Sequence, residues 1–427
     1  MFERILLARR SAAALTLSRT GRRLGAQVFG VFGDEDENVH LAGCDGRVSL
    51  GDGALLERIT AAASEHGIDG VHPGFCDQLP SLELARGLEA AGVAFIGMDP
   101  DVLATVSDRK AFRECIERAS AKPVESTGPV NDAGDAKGEA YRLGYPIQLR
   151  RGEHTAFAMD EDEVDEAWSR LGGEGDAVVE RWYERSRTLE VLVAADSEGV
   201  VMPIAERETT LGESDHVLLE ESPSPALSFR VDGEAIREMI FDLAIRVAKE
   251  IGAIGLVRIE LLLGPTGEIR ITGAYLGLPS LHSVLDKVTK LDLLGLQLRL
   301  ASGEAMPDEV RFMQTSGHAI GARVLAKDAG AAPTGQRFPA APLRSVVLEA
   351  STAPGHAIPP EDGPVFARIT SFAPIRHQAS LTLNRILAGA VIDGGDPNIA
   401  LIRSILDDQA FRAGTYDADT VARLAGR

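Results

Sequence analysis

The chain is 427 residues long, 44% hydrophobic and 25% charged, with a formal net charge of −20. That balance belongs to a globular protein of two to four domains at about 150 residues each, and the acidic surplus excludes tracking along a phosphate backbone, so no nucleic-acid partner is expected. No apolar run reaches the ~20 residues of a membrane span, and Cys44, Cys76 and Cys115 lack the spacing of a disulfide framework or zinc site, which fits a reducing cytoplasm.

Residues 3–8 form an apolar run, 11–24 an Ala/Leu/Arg helix and 26–32 a second apolar run, which together predict a βαβ opening. The Arg-rich, nearly acid-free start also has the composition of a transit peptide, but the strand in ERILLAR is needed by the helix that follows. A helix at 53–66, a strand at 69–72, a helix at 80–91 and a strand at 93–96 continue the alternation, which predicts a parallel sheet with helices on both faces. A helix at 108–119 follows, with Ser107 and Asp108 as caps.

From 140 to 200 the short segments IQLR, AVVERWY and RTLEVLVAAD, with an acidic helix at 160–171, predict a small α+β lobe. An amphipathic helix at 233–251 leads into GLVRIELLLGPTGEIRIT, a hairpin turning at Gly264–Gly267. Loops are expected at 327–342 and 354–364 within a last β-rich region, and helices at 396–406 and 416–425 close the chain.

Lysine is scarce, 7 against 37 arginines, and none occurs between Lys137 and Lys249. Arginine holds phosphate as a planar, permanently charged fork, whereas lysine presents a compact ammonium, so exchanging them changes distances and geometry.

Eight strings, in one order, carry a family resemblance: HPGF (His72–Phe75), FIGMDPDVLATVSDRKAFR (Phe95–Arg113), GYP (Gly144–Pro146), AERE (Ala205–Glu208), EESPSP (Glu220–Pro225), IGLVRIELLL (Ile254–Leu263), GHAIGARVLAKD (Gly317–Asp328) and PPED (Pro359–Asp362). Across nearly its whole length the chain resembles the biotin carboxylases, whose catalytic core is an ATP-grasp domain. The resemblance implies an α/β and α+β multidomain protein. An N-terminal doubly wound domain would span 1–106, an ATP-grasp domain 107–308 with a lid at about 123–200, and a C-terminal β-rich domain 309–427. The family carboxylates biotin with bicarbonate, ATP and Mg2+; no covalent biotin is expected on this chain.

The family's lid carries a lysine and a glycine-rich loop, because backbone N–H groups must approach the polyphosphate. The matching stretch, Leu149–Met159, has one glycine, Gly152, and places Arg150 at the lysine position. Arg150 and Arg151 read equally as phosphate ligands or as a strand end paired with Glu153. Glu180-Arg181-Trp182-Tyr183 resembles the adenine hinge, which makes Glu180, Trp182 and Tyr183 nucleotide candidates, and Arg109 or Lys110 is a candidate phosphate cation. Glu260 matches the first magnesium carboxylate, or is a strand residue paired with Arg258 or Arg270.

Four of the family's groups are missing. The phosphate loop is one. The second metal carboxylate is another, since Ile271–Tyr275 contains none. The bicarbonate-binding run and its base are replaced by Leu276–His282, where His282 alone accepts a proton. Asp215, His216 and Val217 stand where a catalytic lysine is expected. Arg323 and Asp362 match a family pair near the biotin pocket and dimer interface, which either retains a catalytic role for Arg323 or braces the fold.

Each lost charged contact costs several kcal/mol of transition-state stabilisation. The resemblance therefore implies a non-catalytic paralogue that scaffolds or regulates a carboxylase, with an active carboxylase of divergent site, or an ATP-grasp ligase for another substrate, as the alternatives. Implied partners are a biotin carboxyl carrier protein, carboxyltransferase subunits, and a second copy or an active paralogue in a dimer.

Overall fold

The computed structural model describes residues 1–427 except 10–12, 34–40, 51–53, 76–80, 152–153, 173–175, 214–215, 328–330, 341–343, 360–361 and 427. Cys76, Gly152, Glu153 and Asp215 therefore lie outside the described residues.

The N-terminal region is a five-stranded parallel sheet. Its strands Arg4–Leu7, Gln27–Phe32, Gly46–Ser49, Gly70–His72 and Ala94–Phe95 lie in the order third, second, first, fourth, fifth. Alternation along a strand sends successive side chains to opposite faces. Ile5 and Leu7 thus pack with helix Ala13–Arg23, and Leu6 with helices Leu55–His66 and Leu82–Ala90. The doubly wound expectation holds. Strand Gly46–Ser49 and helix Pro100–Ser107 are additions; the helix starts where Asp99 accepts from the Asp101 amide (2.8 Å), with Pro100 in the first turn.

A second, four-stranded antiparallel sheet forms the lid. Its order is Ser126–Val130, Ala177–Arg181, Ile147–Arg151, His154–Ala158, and helices Ala133–Leu143 and Val164–Arg170 pack on it around their own apolar core. The acidic helix begins later than the composition suggests, because Asp160 first closes a turn onto the amides of Asp162 and Glu163.

The third sheet has eight strands in the order Ile269–Leu276, Gly255–Leu263, Arg187–Ala195, Val201–Glu213, His216–Ser222, His318–Leu325, Val365–Ala373 and Val346–Ala350, each antiparallel to its neighbours. RTLEVLVAAD belongs here and not to the lid lobe: nine buried or half-buried residues need a partner on each edge, and only this sheet supplies both. The predicted hairpin turns at Gly264, whose amide bonds the Glu268 carbonyl (2.8 Å), and Gly267 takes the positive φ (+95°) that a tight turn demands.

One face of this sheet, bearing Leu189, Val191, Val257 and Ile259, packs on helix Gly233–Glu250. The other, bearing Leu192, Ala194, Ala205 and Leu256, faces helix Leu293–Ala301 and the N-terminal sheet. Helices Arg376–Gly389, Ile399–Asp407 and Thr420–Leu424 cover the far end, and a short strand, Gly335–Arg337, pairs with Val391–Asp393 inside a stretch expected as loop. Among the described residues no helix is long and apolar enough to cross a membrane.

Candidate functional site

Five adjacent strands of the large sheet contribute charged side chains to one face. Arg258, Glu190, Arg207, Glu220 and Arg323 form a row that alternates in sign, and none of their side chains is more than 7% exposed. Arg258 Nη1 donates to Glu190 at 3.4 Å, and Arg207 donates to the same carboxylate through Nε (2.8 Å) and Nη2 (2.6 Å). Arg207 Nη1 donates onward to Glu220, which also accepts from Arg323 Nη1 at 3.0 Å. Buried ions offset their desolvation only when every charge is matched, and this row matches all but one cation.

Glu260 lies on the same face, in register with Glu190 on one side and Gly273 on the other. Its carboxylate accepts from Thr272 Oγ1 at 2.6 Å. Burial, then the neighbouring Glu190 charge, pushes its carboxyl above the ordinary range. Arg270, one of its two expected partners, turns to Glu125 instead (3.3 Å). The Tyr275 ring fills the space beyond, with the Arg258 guanidinium 5.3 Å from its centroid, and a Cβ at Gly273 would come within 3.1 Å of that ring.

Magnesium prefers near-octahedral hard oxygens. A single carboxylate of raised pKa beside a phenol, with Glu190 held by two arginines, does not fit a magnesium nucleotide. Among the described residues no group of three or more His, Cys, Asp or Glu is arranged to hold a metal.

Across the cleft, the lid and the helix Arg109–Arg118 bring three predicted residues together. Glu180 is ion-paired to Arg150 Nε at 3.0 Å and to Arg109. Burial, then the proximity of Arg150, lowers Arg109 to about 10, so it stays charged at neutral pH. The two cations expected on phosphate thus share one protein carboxylate. The charge of Arg150 also acts on Glu260 and Tyr275, which places both walls in one cleft.

Trp182 packs its edge on Phe157 (4.7 Å), while the Tyr183 ring sits between Arg181 (5.8 Å) and Arg270 (5.7 Å) and its hydroxyl accepts from the Glu125 amide (3.4 Å). Arg151 leaves the cleft: it lies over Trp168 at 4.8 Å and donates to the Leu171 carbonyl. Lys110 is exposed.

Two family models match in succession, one described as biotin carboxylase, N-terminal domain, over residues 1–103, and one as carbamoyl-phosphate synthase L chain, ATP binding domain, over 108–309. The biotin carboxylase of Halalkalibacterium halodurans is 26% identical over 438 residues, covering 97% of this chain and 96% of that protein. The chain belongs to the biotin carboxylase family.

Solved biotin carboxylases share the fold. The structure of the Campylobacter jejuni biotin carboxylase-beta-gamma-ATP complex superposes with a TM-score of 0.89 at 23% identity, over 99% of both chains. The biotin carboxylase domain dimer of Hydrogenobacter thermophilus 2-oxoglutarate carboxylase, in complex with MgADP, ADP and bicarbonate, gives 0.88 at 24%, over 99% of this chain and 98% of that one.

The stretches expected from the resemblance to face bicarbonate and biotin are largely apolar or braced. Leu281, within the Leu276–His282 run expected in place of the base, is fully buried. His282 donates through Nδ1 to Asp286 at 2.7 Å; burial opposes its protonation, but the Asp286 charge and hydrogen bond raise it above the usual histidine value. Val217, in the catalytic-lysine stretch, offers its carbonyl to Arg323 (3.0 Å), and His216 opens the same strand. Arg323 also donates to Ser280 Oγ (2.9 Å), and Asp362 accepts from Arg368 (3.0 Å), which stands opposite Arg323 in the sheet register.

Sequence reading missed Glu190, Arg207 and the continuity of the row. A signal was present: TLEV, AERE and VRIE each set a charge inside an apolar strand.

Proposed function

We propose that this member of the biotin carboxylase family is a catalytically impaired paralogue that scaffolds or regulates a biotin-dependent carboxylase. Its domains would be 1–106, 107–308 with the lid narrowed from the expected 123–200 to the four-stranded sheet between Ser126 and Arg181, and 309–427. The observation that carries the reading is Glu260 facing Gly273, a position with no side chain to supply a second carboxylate and crowded by the Tyr275 ring. Without a second carboxylate, Mg-ATP lacks the bridge that neutralises its phosphates.

The shared Arg109–Glu180–Arg150 pairing supports the same reading, since phosphate would have to compete with a protein carboxylate for both cations. The partners that suit such a chain are a biotin carboxyl carrier protein, the carboxyltransferase subunits of an acyl-CoA carboxylase, and a second biotin carboxylase chain in a dimer. The alternative, an active ATP- and bicarbonate-dependent carboxylase subunit, draws its support from the cleft's retained Arg109, Arg150 and Glu180.

Calorimetric titration with ATP, with and without magnesium, on the natural chain and Glu260→Gln tests the choice. No magnesium-dependent heat at millimolar ATP is expected. Magnesium-dependent binding abolished by Glu260→Gln would establish the alternative.

A further inference from the structure

The lid's apolar core runs from Val130 to Val179 and is drawn, among the described residues, entirely from the lid's own strands and helices. Its neighbour, the body formed by the large sheet with helices Arg109–Arg118 and Gly233–Glu250, has a separate core. The chain passes between the two at two places. On the way in, the backbones of Lys122 and Val124 are bonded to that of Ile271 in the large sheet (2.8 and 3.2 Å). Lid pairing begins at the next residue, where the Arg181 amide donates to the Glu125 carbonyl (2.8 Å). The way out is the turn at 183–186, ahead of strand Arg187–Ala195. With no shared apolar core, hydrophobic burial does not hold the lid down.

Charge joins the two bodies instead, in one pattern that occurs twice. Glu180, on the lid, is paired with Arg150 of the lid (3.0 Å) and with Arg109 of the body. Glu125, at the lid's edge, is paired with Arg181 of the lid (3.4 Å) and with Arg270 of the body (3.3 Å). Each carboxylate takes one arginine from its own side and one from across the joint. Arg113 of the body adds a further tie, donating to Ser126 Oγ at 2.9 Å. The two points differ in shielding. The Glu180 side chain is 8% exposed and that of Glu125 40%, so solvent and salt screen the second far more.

We propose that Glu180 and Glu125 form a two-point ionic latch that holds the lid closed over the cleft before any nucleotide arrives. Screening sets its strength: the range over which exposed charges feel one another shrinks from about 8 Å at physiological ionic strength to about 3 Å at 1 M. The lid is then a two-state element whose populations shift with salt, and a ligand that needs Arg109 and Arg150 must first break the pairs at Glu180. The latch acts on the cleft of the impaired-paralogue reading and adds a barrier there, but it does not depend on the missing magnesium ligand.

The test is hydrogen exchange together with small-angle X-ray scattering on the full chain, without nucleotide or magnesium, at about 50 mM and about 1 M sodium chloride. Light scattering fixes the mass at each salt, so that radii are compared at one oligomeric state. The variants are Glu180→Gln and Glu125→Gln, with Asp165→Asn as the control, because Asp165 pairs with Lys137 inside the lid. In Glu180→Gln at low salt, the amides of Val124, Arg181 and Trp182 are expected to exchange at least about fivefold faster, with a larger radius of gyration. Glu125→Gln should show a smaller change and Asp165→Asn none. High salt should move the natural chain the same way as Glu180→Gln, an arm that needs no substitution to fold. Exchange and radius unmoved by salt and by both variants would overturn the latch. So would faster exchange at constant radius, which makes the pairs local braces. Because no ATP is present, failure here leaves the calorimetric expectation standing, and magnesium-dependent ATP binding would leave the latch standing.

Discussion

The two faces of the eight-stranded sheet bury similar numbers of ionised side chains and use them differently. Toward helix Gly233–Glu250 and the C-terminal helices, each carboxylate has its own arginine from another element: Glu206 with Arg237, Glu208 with Arg187, and Glu221 with Arg376, His318 and Tyr416. These are local staples. On the opposite face the pairs run together as Arg258–Glu190–Arg207–Glu220–Arg323, strand to strand. A charge engaged by two neighbours is poorly disposed to a substrate. The difference teaches that burial of charge by itself does not mark an active site; what matters is whether any group is left to act.

The largest effect that would break this comparison is expected from Arg207→Met. It leaves Glu190 and Glu220 buried with a shared cation missing, and a loss of about 3–5 kcal/mol should appear in urea unfolding. A loss near zero would mean that the row is not a matched unit.

On the opposite face, Glu221→Gln should cost at most about 3 kcal/mol at neutral pH. Burial alone would raise the Glu221 carboxyl, but Arg376 and hydrogen bonds from His318 and Arg376 hold it at about 2 in the fold. Its folded value lies below the unfolded one, so its contribution is complete above about pH 4.5 and drains away as pH falls toward 2. The variant's stability should therefore fall less steeply than the natural chain's over that window, and an unchanged slope would count against the staple.

Installing the missing chemistry sharpens the contrast in the other direction. Gly273→Glu combined with Tyr275→Asn clears the ring and supplies a second carboxylate, and magnesium-dependent ATP affinity should rise at least about tenfold, or ~1.4 kcal/mol. The smallest effect is expected from Arg237→Gln. Burial already raises the Glu206 carboxyl, and the Ser224 amide remains bonded to it, so chemical denaturation should register a loss of about 1 kcal/mol.

Much of the fold was legible because its signals are local. Strand and helix periods in the first hundred residues gave the parallel sheet, and Gly264–Gly267 announced the hairpin. What escaped depends on long-range pairing. RTLEVLVAAD reads the same in a lid or in a large sheet until its two neighbours are known, and strand Gly46–Ser49 is too short to stand out. In the site, the absence of a carboxylate at Ile271–Tyr275 was plain in the letters. That Arg109 and Arg150 converge on Glu180, and that Arg207 bridges two glutamates, was not, because side chains from separate strands meet only through register. Arg150 and Arg151, read together as phosphate ligands or as a strand end paired with Glu153, part for the same reason: neighbours along a strand point apart, and Arg151 lies over Trp168.

The large sheet also crosses from the central to the C-terminal region without a seam, since His216–Ser222 is bonded directly to His318–Leu325. A chain ending at residue 308 would leave the backbone donors and acceptors of that strand bare, an adhesive rim that invites pairing with other molecules. The two regions must mature together and be inherited together, so neither can be traded away as an independent module.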